Sequence, residues 1–336
     1  MKIHASAPAK TILFGEHYAV YGAPGVVVAI EPRNSVEVSI TDSDEPGLEY
    51  NTTRTESCIK RSAQLTVTTN HPINELYTHY LKTYRGLREM RICATVKKAW
   101  SLKGVGNSAS LSACFAYGTR KALGLGTSAK DIFEDTQIAE SAAHGTPSGI
   151  DAAAVCYGGV LAYEKRFARK PSIKKLGFCA PEDFSFLLID TYSKDKKRSN
   201  TRKMIEKFAQ SHAINRPAHE LRQEEREKII APYMSIYKRA KRALERANAP
   251  EIARCMNENH ALLRDSKVSS KSIENAIGIS LNNGAVGAKM TAAGGIGGAA
   301  IALCKKSRLK KLRSALLEKG FESFEFKISE RGVGKK

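Results

Sequence analysis

Three stretches of this sequence bring lysine, carboxylate, histidine and hydroxyl side chains within reach of one another, a set suited to an oxygen-rich substrate. In Ser6-Ala7-Pro8-Ala9-Lys10-Thr11-Ile12-Leu13-Phe14-Gly15-Glu16-His17, a Lys, a Glu and a His flank a short apolar strand. Their polar tips could converge on a hydroxylated ligand. A surface lysine and a hydrogen-bonded histidine are the plainer account of the same residues. The second stretch, Gly104-Val105-Gly106-Asn107-Ser108-Ala109-Ser110, lies between a strand pattern and a helix pattern. Glycines let the backbone approach an anion, and the first N–H groups of a helix point at it. Ser108 could add a hydroxyl ligand to Mg²⁺; an ordinary tight turn is the alternative. The third pairs Glu140 with Asp151 across His144-Gly145-Thr146-Pro147-Ser148-Gly149-Ile150. Glu140 shares a helix face with Ile132, Phe133 and Thr136, and a carboxylate on an apolar stripe is costly unless it is paired or binds a cation. A metal and a neighbouring lysine both meet that need. The Pro-Ser-Gly turn then re-aims the chain so that Asp151 can enter the same cavity. A further run, Lys289-Met290-Thr291-Ala292-Ala293-Gly294-Gly295-Ile296-Gly297-Gly298, is too glycine-rich for an ordinary turn and suits close packing of backbone against a segment or ligand.

These stretches need elements to position them. The first ~100 residues read as strand-rich: residues 25–30 form a buried-strand run, and Val36, Val38 and Ile40, then Ile92, Ala94 and Val96, alternate with polar neighbours. The period then changes. Leu111, Cys114, Phe115 and Ala122 fit a helix that Gly124 stops, and a second helix starts near Ser128 as N-cap. Beyond Pro171, residues 184–189 read as a strand and residues 194–203 as a basic loop entering a helix. Tyr233, Ile236, Tyr237, Ala240 and Leu244 are helix-spaced, as are Ile252, Cys255, Met256 and Leu263. Residues 299–303 and 324–328 are the last strands. Two α+β lobes follow, residues 1–172 and 173–332.

The 336 residues, 42% hydrophobic and 26% charged, suit a globular protein with a real core. No apolar run reaches the ~18–20 residues of a membrane span, and the N-terminus lacks a signal-peptide layout. Seven irregularly spaced cysteines without a CxxC pair argue against a disulfide framework and a structural zinc site. The expected compartment is the cytoplasm. The net charge of +20 suits polyanions, whether nucleic acid or small phosphorylated ligands. No RNA-binding aromatic motif, zinc finger or helix-turn-helix accompanies it, so no nucleic-acid partner is expected.

Taken together the segments resemble the GHMP kinase superfamily, its mevalonate kinase branch in particular, over nearly the whole chain and in family order. Ala7-Pro8-Ala9-Lys10 through Gly15-Glu16-His17 is similar to the family's first motif. Residues 104–110 resemble its phosphate loop, and residues 289–298 its third motif. The most discriminating stretch is residues 144–151, followed by Tyr157-Gly158-Gly159, with Glu140 eleven residues before Asp151. The resemblance implies a ribosomal-S5-like N-lobe, a ferredoxin-like C-lobe and an active site between them. It implies that Asp151 orients or deprotonates the attacking hydroxyl, while Lys10 stabilises developing negative charge. Gly104, Val105, Gly106, Asn107, Ser108 and Ala109 would cradle the ATP phosphates. Ser108 and Glu140 would hold Mg²⁺, and Glu16, His17, Ser148 and Thr201 would contact the acceptor.

The sequence departs from the family at several points. Trp100 and Leu102 stand at the usual Pro and Gly, Asn107 replaces the first Ser, and Ala292 and Ile296 replace glycines. The expected activity is an ATP- and Mg²⁺-dependent kinase for the 5-hydroxyl of mevalonate or mevalonate 3-phosphate, in isoprenoid precursor synthesis by the mevalonate pathway. The phosphorylated acceptor is suggested by Lys97, Lys98 and Lys103, by Arg264 and Lys267, and by Lys196, Lys197, Arg198 and Arg202 beside Asn200-Thr201. Solvated surface charge accounts for the same residues. A GHMP kinase for another small alcohol or sugar and a non-catalytic binding or regulatory protein of this fold are the alternatives; homodimerisation is left open.

Overall fold

The computed structural model describes residues 2–53, 63–64, 72–99, 102–144, 147–178, 181–192 and 199–336. Trp100, Lys196, Lys197 and Arg198 lie outside them. β1 (Lys2–Phe14) and β2 (Pro24–Asp42) pair antiparallel along most of their length. The segments expected as separate strands at residues 25–30 and 36–40 are two halves of β2. The first half is buried on both faces: Val26, Val28 and Ile30 enter one core and Val27 the other. The second half alternates, as one-sided burial requires. β3 (Gly47–Thr53) lies parallel to β5 (Met90–Lys97), with β4 (Ala63–Gln64) beyond it. Between β4 and β5 runs α1 (Pro72–Thr83), a helix the strand-rich reading missed; it buries Ile73, Leu76 and Tyr80 on one face.

α2 (Asn107–Ala122) and α4 (Ile150–Tyr157) pack on this sheet, and α3 (Ala129–His144) packs against α1, α2 and α4. Gly124 (φ +69°) follows α2 as expected. Ser128 caps α3: its hydroxyl accepts from the Asp131 amide, while the Asp131 carboxylate accepts from the Ser128 amide at 3.0 Å. β6 (Val160–Glu164) and β7 (Ser172–Lys175) complete this side through β2.

The second sheet is antiparallel throughout. It contains β8 (Phe184–Asp190), then, after α5 (Thr201–Ser211), α6 (Gln223–Glu245), α7 (Ala249–Asp265) and α8 (Lys271–Asn282), β9 (Ala285–Thr291) and β10 (Ala299–Lys305). α9 (Leu309–Glu318) leads to β11 (Ser323–Glu325), and the spatial order is β11-β8-β10-β9. The expected strand at residues 324–328 divides. β11 ends at Glu325, and the chain crosses back to the first sheet, where the Ser329 amide donates to Ala29 O at 2.8 Å. There Arg33 donates to the carbonyls of Ser6, Arg331 and Gly332, and β12 (Gly334–Lys335) pairs with β1. The chain thus leaves the first sheet after β7 and returns to it at the end.

Candidate active site

A cleft of about 410 Å³ opens between the two sheets, and all three sequence stretches and the glycine run line it. Lys10 projects from β1 with 1% of its side chain exposed, and its Nζ lies 2.8 Å from Asp151 Oδ1. Asp151 stands in the first turn of α4, where the helix dipole favours an anion. The Pro-Ser-Gly turn is held from β6: Lys165 Nζ donates to Pro147 O at 3.0 Å and Tyr163 Oη to Ser148 O at 2.6 Å. Gly149 (φ +88°) is required here, because a Cβ would come within 2.2 Å of the Tyr163 hydroxyl.

Residues 104–109 lead into and form the start of α2. The Lys10 amide donates to Val105 O at 2.9 Å, which ties the loop to β1. Gly106 (φ +71°) lies directly over the Lys10 stem. Asn107, at the family's serine position, is spent on structure: its side chain donates to Leu102 O and accepts from Asn34 Nδ2. The Ser108 hydroxyl donates to Glu140 Oε1 at 2.6 Å. Glu140 is 4% exposed, with Ile132, Phe133 and Thr136 buried along the same face. Two hard oxygen donors therefore reach one point beside the first turn of α2. Among the described residues no group of three His, Cys, Asp or Glu could hold a metal. The pair suits Mg²⁺, which takes one or two protein ligands beside substrate phosphates.

Ser148, Asn200 and Thr201 also line the cleft, with Val20 and Ile205 as apolar members of its wall. Asn200 caps α5 by accepting from the Lys203 amide at 2.7 Å. Ser199 docks on the glycine run, its amide donating to Ile296 O and its hydroxyl accepting from the Ile296 amide. His17 is 3% exposed and stacks on Phe208, ring centroids 5.2 Å apart. Its Nε2 donates to Ala293 O at 3.0 Å, and burial pulls its pKa down to about 4, so the ring is neutral.

Glu16 lines the cleft floor, but its side chain is fully buried and ion-paired with Lys289. Burial is the largest influence on both partners, raising the Glu16 carboxyl and lowering the Lys289 ammonium, while their attraction opposes it. Arg264 and Lys267 are exposed near the end of α7 and are not among the lining residues; Lys103 is. Sequence reasoning missed Gln137, Ser199 and Ile205 as lining residues and Lys289 as a partner. Only Lys289, a charge within the mostly apolar β9, left a signal.

The family profile described as "GHMP kinases N terminal domain" matches residues 73–159, and "GHMP kinases C terminal" matches residues 240–322, together about half of the chain. The chain is 28% identical over 353 residues to a mevalonate kinase of Thermococcus sibiricus, covering 99% of this chain and 98% of that one. Among solved structures, L. major mevalonate kinase in complex with R-mevalonate superposes with a TM-score of 0.73 at 22% identity, covering 98% of this chain and 95% of the other. Lactococcus lactis galactokinase complexed with galactose gives the same TM-score at 16% identity, covering 100% and 95%. These two structures share the fold.

Proposed function

This chain belongs to the GHMP kinases, and from that premise we propose that it transfers a phosphoryl group from ATP to the primary 5-hydroxyl of mevalonate. The observation that carries the reading is the Lys10–Asp151 pair at 2.8 Å, in one cleft with Ser108–Glu140 at 2.6 Å. Phosphoryl transfer needs positioning and charge neutralisation more than covalent participation by the protein. Asp151 orients the acceptor hydroxyl and takes its proton. Lys10 holds Asp151 in place and offsets charge developing on the transferred group. Ser108 and Glu140 would hold Mg²⁺, which neutralises phosphate charge when bound. The backbone at the start of α2 receives the phosphates.

Since galactokinase shares the fold, the fold does not choose the acceptor. The near-full-length relatives named mevalonate kinase support mevalonate. The mevalonate 3-phosphate reading requires basic residues at the acceptor. Of those named for it that are described, Lys103 lines the cleft and Lys97, Lys98, Arg202, Arg264 and Lys267 do not, so we place free mevalonate first. The non-catalytic alternative predicts loss of Lys10, Ser108, Glu140 or Asp151, and all four are present around one cleft. A coupled ADP-release assay with ATP and Mg²⁺ tests the proposal against mevalonate, its 3-phosphate, its 5-phosphate, galactose and homoserine. Mevalonate should be turned over efficiently. Activity confined to the 3-phosphate, galactose or homoserine would overturn the acceptor, and no activity with any of them the reaction.

A further inference from the structure

Buried side-chain bonds join the end of β1 and the residues after it to the end of β9 and the glycine run behind it. Thr291 Oγ1 donates to Ile12 O at 2.8 Å, accepts from the Ile12 amide at 3.1 Å, and lies 3.3 Å from the Thr11 hydroxyl. His17 Nε2 donates to Ala293 O. Lys289 pairs with Glu16 and donates to Met290 O at 2.8 Å, with neither partner's side chain exposed. One side of this seam is the strand that carries Lys10; the other leads directly into Ala292, Ala293, Gly294, Gly297 and Gly298, which line the cleft. Apolar side chains could join these surfaces at least as stably as a buried ion pair, which is costly to desolvate. What the pair adds is directional geometry.

We propose that Glu16 and Lys289 are positioning residues whose buried ion pair locks β1 against the glycine run, fixing Lys10 relative to the phosphate end of the cleft. Glu16 then acts through Lys289 and does not touch the acceptor. Lys289 opens the run that resembles the family's third motif, but the resemblance gives it no role. The inference rests on the kinase reading.

Lys289→Met alone leaves a buried carboxylate without its cation and is a poor test. Two gentler variants suit better. Glu16→Gln with Lys289→Met removes both charges at nearly constant volume, and Glu16→Asp keeps both but shortens the reach by one methylene. We expect kcat to fall roughly 10- to 100-fold in whichever variants fold, with KM for ATP and for the acceptor within about twofold of wild type. Wild-type kcat in a folded variant would overturn the proposal. So would a loss confined to the acceptor KM, which would make Glu16 a direct ligand. Amide hydrogen exchange at residues 292–298 needs no acceptor and separates this inference from the substrate reading. Faster exchange in the variants sustains the seam even if mevalonate proves inert; unchanged exchange removes it.

Discussion

Replacing Gly106 with alanine isolates the contact that seats Lys10. Gly106 has φ +71°, in the left-handed region where a Cβ costs roughly 1–2 kcal/mol. The added Cβ would sit 2.6 Å from Lys10 Cγ and 3.0 Å from Cε. Carbon atoms in contact prefer roughly 3.5–4.0 Å, so the lysine stem must retreat by about 1 Å. It cannot do so freely, because Lys10 is 1% exposed and its Nζ is held 2.8 Å from Asp151. A misplacement of about 1 Å can cost ~10²-fold in rate. We therefore expect kcat to fall about 10²-fold, while the backbone strain lowers Tm by roughly 1.5–3 °C. Gly104→Ala is the control: at φ +85° it carries similar strain, but its Cβ would meet Ala292 Cβ at 3.3 Å and not Lys10. It should lose similar stability and much less turnover. Coupled ADP release at saturating ATP and acceptor, with thermal unfolding in parallel, reads both effects. Wild-type kcat in folded Gly106→Ala, or equal kcat losses in the two variants, would refute the assignment of Lys10 to the reacting centre.

Three other outcomes follow from the same geometry. Asp151→Asn should lower turnover by ~10²–10⁴-fold with ATP affinity nearly intact, and near-wild-type turnover in the purified variant would remove its role as base. Glu140→Gln and Ser108→Ala should each shift a magnesium titration of activity to higher concentration, and an unchanged titration in both would remove the metal assignment. His17 is held near pKa 4 by burial, against 6.5 as its ordinary value, so the unfolded chain binds more protons between those pH values. Stability should therefore fall as pH drops from about 6.5 to 4, by about 3 kcal/mol in all. His17→Gln should flatten that slope in Tm measured against pH; an unaltered slope would place the titration elsewhere.

Features governed by local rules could be read from residue order alone. Gly124, Ser128 and the period of residues 111–122 placed α2 and the start of α3, because caps and amphipathic spacing act within a few residues. Glu140 stood out because a carboxylate on an apolar stripe is costly wherever the helix docks. Segments 184–189 and 299–303 were legible because their apolar residues run continuously, as strands covered on both faces do. Features that rest on distant pairing could not be read that way. No local pattern tells that residues 25–30 and 36–40 make one strand, that the chain after Glu325 changes sheets, or that Glu16 meets Lys289 273 residues away. Arg264 and Lys267 show the converse: their charge and place in sequence suggested a ligand, yet Arg264 in the last turn of α7 and Lys267 just beyond it are both exposed and outside the cleft lining. A charge becomes a site only where other elements enclose it, and enclosure is settled by packing across the whole chain.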